Sequence, residues 1–300
     1  MRISVVADVH GNFDALARVA DRAEKLLVLG DLLDYVDYHE PERGILGEIF
    51  GADAVRDFSR LRARGAFDEL HRYNAALWAR IHDPVGVLSE IVRERYRRVL
   101  DAVGPDALLI LGNVDVAQEW NAVAGDVLPY RDGEVLDIDG ARLGFVAGGA
   151  SRRPRAANPN GVLRVDGRAW RPFVRSGDEY RAAVAALGPV DVLCTHIPPD
   201  IAAMRYDVVP ARLEMAGPGL LDYIDTHRPA LALSGHVHQP LTPRTRRGLT
   251  ECINVGHFQR AEQAFQLDLD RVPRAAQNPD RSPVRDAARG ATVAGAPAGR

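Results

Sequence analysis

The 300-residue sequence has few cysteines, no excess of basic residues and no long apolar run. Its net charge of −3 and pI near 6.3 argue against dedicated binders of nucleic acids or acidic membranes, which usually carry a basic excess. No apolar run is long enough to span a bilayer, and the stretch before Asp8 is too short for a signal-peptide core. We therefore expect a cytoplasmic protein that binds neither membranes nor nucleic acids.

The two cysteines, Cys194 and Cys252, lie within apolar runs. Buried thiols that pack as small hydrophobic residues explain this placement better than a disulfide or a redox pair. Free thiols fit a reducing compartment, which agrees with a cytoplasmic location.

Short β-branched runs alternate with amphipathic helical patterns, which predicts an α/β protein. Asp139-Gly140 between two apolar runs indicates a two-residue hairpin, so an antiparallel portion is expected beside parallel-type strands. Asn12 is expected to cap a helix, and Val87–Val103 has helical apolar spacing with its arginines on a solvated face. The predicted strands are Ile3–Ala7, Leu26–Leu29, Leu108–Leu111, Val135–Ile138, Leu143–Val146, Val190–Thr195, Leu231–Ser234, Cys252–Val255 and Ala264–Leu269.

One domain is predicted over residues 1–271, with two inserts that interrupt its alternation of strands and loops. The first insert, 35–106, is mostly helical, and the second, 150–176, is rich in arginine. Residues 272–300 contain no aromatic residue, leucine or isoleucine, so this segment is predicted to be a disordered tail.

Five short motifs each fall where a predicted strand ends, and loops at the carboxyl ends of strands converge on ligand-binding crevices in open α/β sheets. A lone histidine beside a strand is usually structural, but the five motifs together offer carboxylates, imidazoles and one amide oxygen. This set suits divalent Mn, Fe, Co or Zn. The motifs are Asp8-Val9-His10, Gly30-Asp31-Leu32-Leu33-Asp34, Gly112-Asn113-Val114-Asp115, Thr195-His196 and Gly235-His236-Val237-His238.

In this order the motifs resemble those of the calcineurin-like metallophosphoesterase superfamily, which are D-x-H, G-D-x-x-D, G-N-H-[DE], a lone H and G-H-x-H. The resemblance extends from Met1 to about Leu269 and implies a β-sandwich flanked by helices. It also implies two divalent metal ions, Mn first, with Fe, Zn, Co, Ni or Mg as alternatives. The implied ligands are Asp8, His10 and His238 for one ion, Asn113, His196 and His236 for the other, and Asp31 as the bridge.

The resemblance further implies that Asp34 and Asp115 orient ligands by hydrogen bonds, although loop or cap structure would also explain these two residues. The expected reaction is attack of a metal-bridging hydroxide on a small phosphorylated substrate. The sequence suggests no side-chain nucleophile, catalytic triad or covalent intermediate.

Val114 departs from the family pattern, which usually has a histidine at this position to contact phosphate and assist the leaving group. Valine cannot donate a proton, and general acid catalysis contributes roughly 10²–10⁴-fold. Three consequences stay open: the substrate has a good leaving group, another residue donates the proton, or the protein is a weak catalyst. The candidate proton donors are His39 and His257.

The leading prediction is a metal-dependent hydrolase of phosphodiesters or activated phosphomonoesters. A nucleotide-linked pyrophosphate hydrolase is an alternative because its leaving group needs little acid assistance. A weakly catalytic, metal-containing interaction scaffold is the other alternative, and the presence of all seven ligand positions favours an enzyme over it. The helical insert is expected to roof the crevice. Arg152, Arg153 and Arg155 either contact a second phosphate or belong to a solvated loop.

Overall fold

The structure is a computed structural model that describes residues 1–151, 158, 161, 172–205 and 215–274. Most of the predicted insert over 150–176, including Arg152, Arg153 and Arg155, lies outside the described residues. The predicted tail also lies outside them beyond Arg274.

Short strands in the described ranges provide the framework of the protein. They are β1 (Arg2–Val6), β2 (Lys25–Leu29), β3 (Leu108–Ile110), β4 (Val135–Ile138), β5 (Ala141–Val146), β6 (Gly149–Ser151), β7 (Val174–Ser176), β8 (Val192–Thr195), β9 (Leu231–Ser234), β10 (Arg244–Arg247), β11 (Thr250–Asn254) and β12 (Phe265–Asp268). One sheet has the order β12-β1-β2-β3, a second has the order β10-β11-β9-β8-β5-β4, and β6 pairs with β7. The strands β1, β2 and β3 run parallel, as do β5, β8, β9 and β11.

The helices lie between and outside these strands. They are α1 (Phe13–Ala20), α2 (Gly44–Phe50), α3 (Ala52–Ala63), α4 (Phe67–Trp78), α5 (Pro84–Val103), α6 (Ala117–Ala124), α7 (Gly177–Ala186), α8 (Leu220–His227) and α9 (Phe258–Ala261). Four of them, α2 to α5, fall within 35–106, which was expected to be mostly helical. None of the helices in the described residues combines the length and the apolar character needed to cross a membrane.

Two hydrophobic cores hold the layers together. The larger core contains Leu27 of the first sheet and Val192 and Leu233 of the second, so the two sheets pack against each other. The smaller core lies on the other face of the second sheet, where Leu193 packs with residues of α7 and α8 such as Ile224. The alternation of Val192 and Leu193 between the cores is the period of two expected for a strand. This mixed α/β architecture of helix-flanked sheets confirms the predicted fold class.

Several local predictions are also confirmed. Asp139 and Gly140 have positive φ angles of 52° and 72° and join β4 to β5 in a hairpin. The side chain of Asn12 accepts a hydrogen bond from the amide of Ala15 and so caps α1. Both cysteines are buried and free.

The structure adds strands that the sequence pattern did not predict. The edge strand β10 consists of Arg-Thr-Arg-Arg, and it lacks the apolar alternation that marks a half-buried strand. Its ladder with β11 is supplemented by an ion pair between Arg244 and Glu251, at 3.1 Å. The strands β6 and β7 have only three residues each and pair in parallel with each other.

The arginines of α5 were predicted to be solvated, and for Arg95 this prediction is wrong. Arg95 lies three residues after Val92 and four before Val99, both buried, so it stands at the edge of the packed stripe of the helix. Its side chain is only 13% exposed and binds Asp34, whereas that of Arg97 on the same helix is 56% exposed.

Candidate metal centre

The five sequence motifs lie in loops at the carboxyl ends of β1, β2, β3, β8 and β9, three from the first sheet and two from the second. Their backbone is tightly turned. Among the described non-glycine residues, seven have a positive φ, and four of these are predicted metal ligands. Asp8, His10, Asp31 and His236 have φ angles of 58°, 41°, 54° and 67°. Such conformations are costly for these residues and cluster at functional sites.

The first cluster joins both sheets around two imidazoles and a carboxylate. The Nε2 atoms of His10 and His238 lie 3.1 Å apart. Oδ1 of Asp8 lies 3.5 Å from Nε2 of His238 and 3.9 Å from Nε2 of His10. The backbone amide of His236 donates to Asp8, at 2.9 Å to Oδ2. Three donor atoms of the kinds preferred by borderline divalent metals thus face one point.

The second cluster is built around His196, which is fully buried. Its Nε2 lies 3.2 Å from Oδ1 of Asp31 and 3.1 Å from Oδ1 of Asn113. The rings of His196 and His236 have centroids 5.2 Å apart, and potential ligand atoms of Asp31, His196 and His236 lie within 4.8 Å of one another.

Asp31 lies between the two clusters. One of its carboxylate oxygens, Oδ1, faces His196, and the other, Oδ2, lies 3.9 Å from Nε2 of His10. The amide of Val114 donates to Oδ1 at 3.0 Å and helps to fix the carboxylate. A carboxylate with one oxygen toward each cluster has the arrangement that a bridging ligand requires.

Backbone carbonyls set the orientation of two of the histidines. Nδ1 of His10 lies 2.9 Å from the carbonyl oxygen of Leu33, and Nδ1 of His196 lies 2.8 Å from that of Leu29. A carbonyl only accepts, so Nδ1 donates in both cases, and in the neutral ring Nε2 keeps a lone pair directed into the site. Metal-binding histidines usually have an outer partner of this kind.

The electrostatics of the buried site favour positive charge. Burial alone would raise the pKa of Asp31, but His196 and His10 outweigh it and hold the pKa below its ordinary value. Burial disfavours the charged form of His196, yet Asp31 and Asp8 raise its pKa to about 9. Burial and then the charge of His196 lower the pKa of His236 to about 3. The two buried carboxylates therefore stabilise a cation among these histidines, and the donor set fits divalent metal ions.

Asp115 joins the second and third loops. Its Oδ2 accepts a hydrogen bond from the amide of Gly112 at 2.7 Å, and its Oδ1 accepts from the amides of Leu32 and Leu33 at 2.9 and 3.3 Å. Burial and the charge of Asp31 raise the pKa of Asp115 to about 7. This carboxyl group fixes the backbone beside the predicted ligands Asp31 and Asn113.

Asp34 connects the site with the helical insert. Its Oδ1 accepts from Nε of Arg95 at 2.7 Å, and Nη2 of Arg95 also binds Glu48 at 3.0 Å. Sequence reasoning missed Arg95, although its spacing from Val92 and Val99 placed it beside the apolar stripe of α5.

The remaining predicted residues, Val114, His39 and His257, have different surroundings. The side chain of Val114 packs against the large core. His39 is exposed, and its backbone amide donates to Asp37. His257 follows β11 and stacks on His238, with ring centroids 3.8 Å apart. Gln259, another residue missed in the sequence, contacts the His10 loop and has no local motif that would mark it.

Comparison with known proteins identifies the family. The sequence model of the calcineurin-like phosphoesterases matches residues 1–240. The chain belongs to this family. No curated protein matches the chain. Among solved structures, one match is the crystal structure of TT1561 of Thermus thermophilus, with 13% identity and a TM-score of 0.46. The match covers 89% of this chain and 98% of that chain.

Proposed function

We propose that this member of the calcineurin-like phosphoesterase family is a dinuclear metal-dependent hydrolase of phosphodiesters or activated phosphomonoesters. The observation that carries the proposal is the convergence of seven potential ligands from five loops of two sheets. Family membership supports phosphoester hydrolysis, and the two clusters that share Asp31 support a pair of metal ions.

The residues divide naturally between two ions. Asp8, His10 and His238 would hold one, Asn113, His196 and His236 would hold the other, and Asp31 would bind both. When bound, two divalent cations supply Lewis acidity that stabilises charge on a phosphate and that activates water. Manganese is the proposed metal, because imidazole and carboxylate ligands together suit it, and iron, zinc, cobalt, nickel and magnesium are the alternatives.

The protein itself supplies rigidity and charge. The buried carboxylates of Asp8 and Asp31 would hold the metal cations in place. Asp115 connects the two loops that carry Asp31 and Asn113. Since these groups are already in place, little reorganisation accompanies binding of an anionic phosphate, which is the condition for electrostatic stabilisation.

Val114 determines the proposed substrate class. Its side chain packs against the core and has no proton to donate, so the proposed substrate is one whose leaving group departs with little acid assistance. A diester with an aryloxide leaving group meets this requirement, and so does an activated monoester. A nucleotide-linked pyrophosphate also meets it and is the second candidate on the same observation.

Paired substrates test the proposal. With Mn²⁺, we expect turnover of bis(p-nitrophenyl) phosphate, measured beside p-nitrophenyl phosphate and a dinucleoside pyrophosphate. Asp31→Asn should reduce turnover by more than the roughly 10–100-fold typical of an outer-shell loss. The control Asp53→Asn changes a side chain that is 94% exposed and should keep full activity.

Each alternative has its own outcome. Hydrolysis of the pyrophosphate alone would favour the second candidate over the first. Absence of turnover with every divalent ion would instead support the scaffold and would contradict the proposed activity.

A further inference from the structure

His257 lies against the first cluster although it belongs to none of the five motifs. Its ring stacks on that of His238 with an interplanar angle of 18°, and its centroid is 5.9 Å from that of His10. Potential ligand atoms of His10, His238 and His257 all lie within 4.8 Å of one another. The three imidazoles thus bring potential ligand atoms close enough together to share one ion.

The backbone around His257 is anchored to the loop that carries Asp8 and His10. The amide of Phe258 donates to the carbonyl oxygen of Ala7 at 3.0 Å, and the amide of Gln259 donates to that of Asp8 at 3.0 Å. These two bonds begin at the residue directly after His257. The position of the ring relative to Asp8 and His10 is therefore set by main-chain contacts.

Gln259 defines which nitrogen of His257 carries hydrogen. The amide nitrogen of Gln259 donates to the carbonyl oxygen of His10 at 3.0 Å and to Oδ2 of Asp37 at 3.2 Å. Both partners are acceptors, so the amide nitrogen must face them and Oε1 must face His257. Nε2 of His257 lies 3.2 Å from Oε1 and accordingly donates its hydrogen.

In the neutral ring this arrangement leaves Nδ1 of His257 with its lone pair. The same pattern holds for His10 and His196, in which Nδ1 donates to a backbone oxygen and Nε2 faces other potential ligands. An oxygen acceptor behind the ring is the usual support of a metal-binding histidine.

We infer that His257 is an additional ligand of the metal ion held by Asp8, His10 and His238, positioned through Gln259. This inference rests on the proposed metal centre. It gives His257 a role in binding rather than in proton donation, because Nδ1 would be on the metal and the one N–H of the ring, at Nε2, is directed at Gln259 and not at a leaving group.

Cobalt substitution tests the ligand role without an activity assay. We expect the wild-type protein to bind two Co²⁺ ions and to show one hyperfine-shifted, exchangeable imidazole N–H resonance for each ligating histidine. His257→Phe keeps a ring to stack on His238 but lacks a nitrogen. It should lose one of these resonances. It should also bind one of its two Co²⁺ ions roughly 10–100-fold less tightly than the wild type does.

Two further variants complete the test. Circular dichroism shows whether the His257→Phe variant is folded. If the phenylalanine disturbs folding, His257→Ala provides the same measurement. His82→Phe changes an exposed histidine and should match the wild type in both resonances and affinity. Gln259→Leu should weaken Co²⁺ binding roughly 10-fold, since Nε2 of His257 then loses its acceptor.

The possible failures are distinguishable. Unchanged resonances and unchanged Co²⁺ affinity in the two His257 variants, with two ions bound, would overturn the ligand role and leave the metal centre intact. Slower hydrolysis of poor leaving groups in those variants would then support proton donation. A wild-type protein that binds no Co²⁺ would overturn the metal centre together with this inference.

Discussion

Single residues determine how closely the loops of the proposed metal centre approach one another. Gly30 has a φ of +87°, and a Cβ atom placed on it would lie 2.3 Å from the backbone nitrogen of Gly112 and 2.6 Å from its Cα. This contact joins the loop that carries Asp31 to the loop that carries Asn113. No side chain fits there, so glycine is required for both its conformation and its size.

We predict that Gly30→Ala lowers the free energy of unfolding by about 2–5 kcal/mol, which combines left-handed strain with displacement of the Gly112 backbone. Gly133→Ala is the matched control, because Gly133 has a φ of +70° and, among the described residues beyond its two chain neighbours, no heavy atom lies within 4 Å of the added Cβ. The control should cost only about 1–2 kcal/mol. Urea unfolding measures both, and equal losses would contradict a tight loop contact at Gly30.

The ligand candidates could be predicted from the sequence, whereas Gln259 could not. The ligand candidates were accessible from sequence because each follows a predicted apolar strand and carries a metal-binding group. Gln259 was not, because its role depends on contacts with His10 and Asp37, residues 249 and 222 positions away. A glutamine on a short helix has no periodicity or motif that would indicate such contacts.

At the scale of elements, α5 connects the helical insert to the site through Arg95 and Asp34. Their side chains are 13% and 10% exposed, so little water would replace either partner. Removing the arginine would leave a poorly solvated carboxylate directly behind the loop that carries Asp31.

Arg95→Met should therefore destabilise the protein by about 2–4 kcal/mol. Arg97→Met on the same helix removes an ion pair with Glu94 whose side chains are 56% and 64% exposed, and it should change stability by less than about 1 kcal/mol. Thermal or urea unfolding of the two variants compares them. Similar effects of both substitutions would show that Arg95 behaves as an ordinary surface residue.

Element prediction succeeded where hydrophobic patterns were strong and failed where they were absent. Apolar runs located β1, β2, β8 and β9, and Asp139-Gly140 located the hairpin between β4 and β5. The edge strand β10 was not predicted, because its arginines face water and only its pairing with β11 makes it a strand. No short-range signal marks the three-residue strands β6 and β7.

At the scale of the whole molecule, the proposed metal ions would connect the two sheets. The first sheet contributes Asp8, His10, Asp31 and Asn113, and the second contributes His196, His236 and His238. Such ions bind the folded chain and find no assembled site in the unfolded one, so binding adds to stability.

We predict that Mn²⁺ at 100 times its dissociation constant stabilises the protein by about 2.7 kcal/mol per independent site. Thermal unfolding in Mn²⁺ and in EDTA measures the difference as a rise in Tm. Asp31→Asn should lose most of this rise, whereas Asp53→Asn should retain it. A Tm that does not respond to Mn²⁺ in the wild-type protein would argue against a site shared by the two sheets.

Anomalous diffraction from crystals grown with Mn²⁺ tests the central claim most directly. The account predicts two anomalous peaks, one among Asp8, His10 and His238 and the other among Asn113, His196 and His236, with Asp31 in contact with both. A single peak, or peaks remote from these residues, would contradict a dinuclear centre assembled from the loops of both sheets.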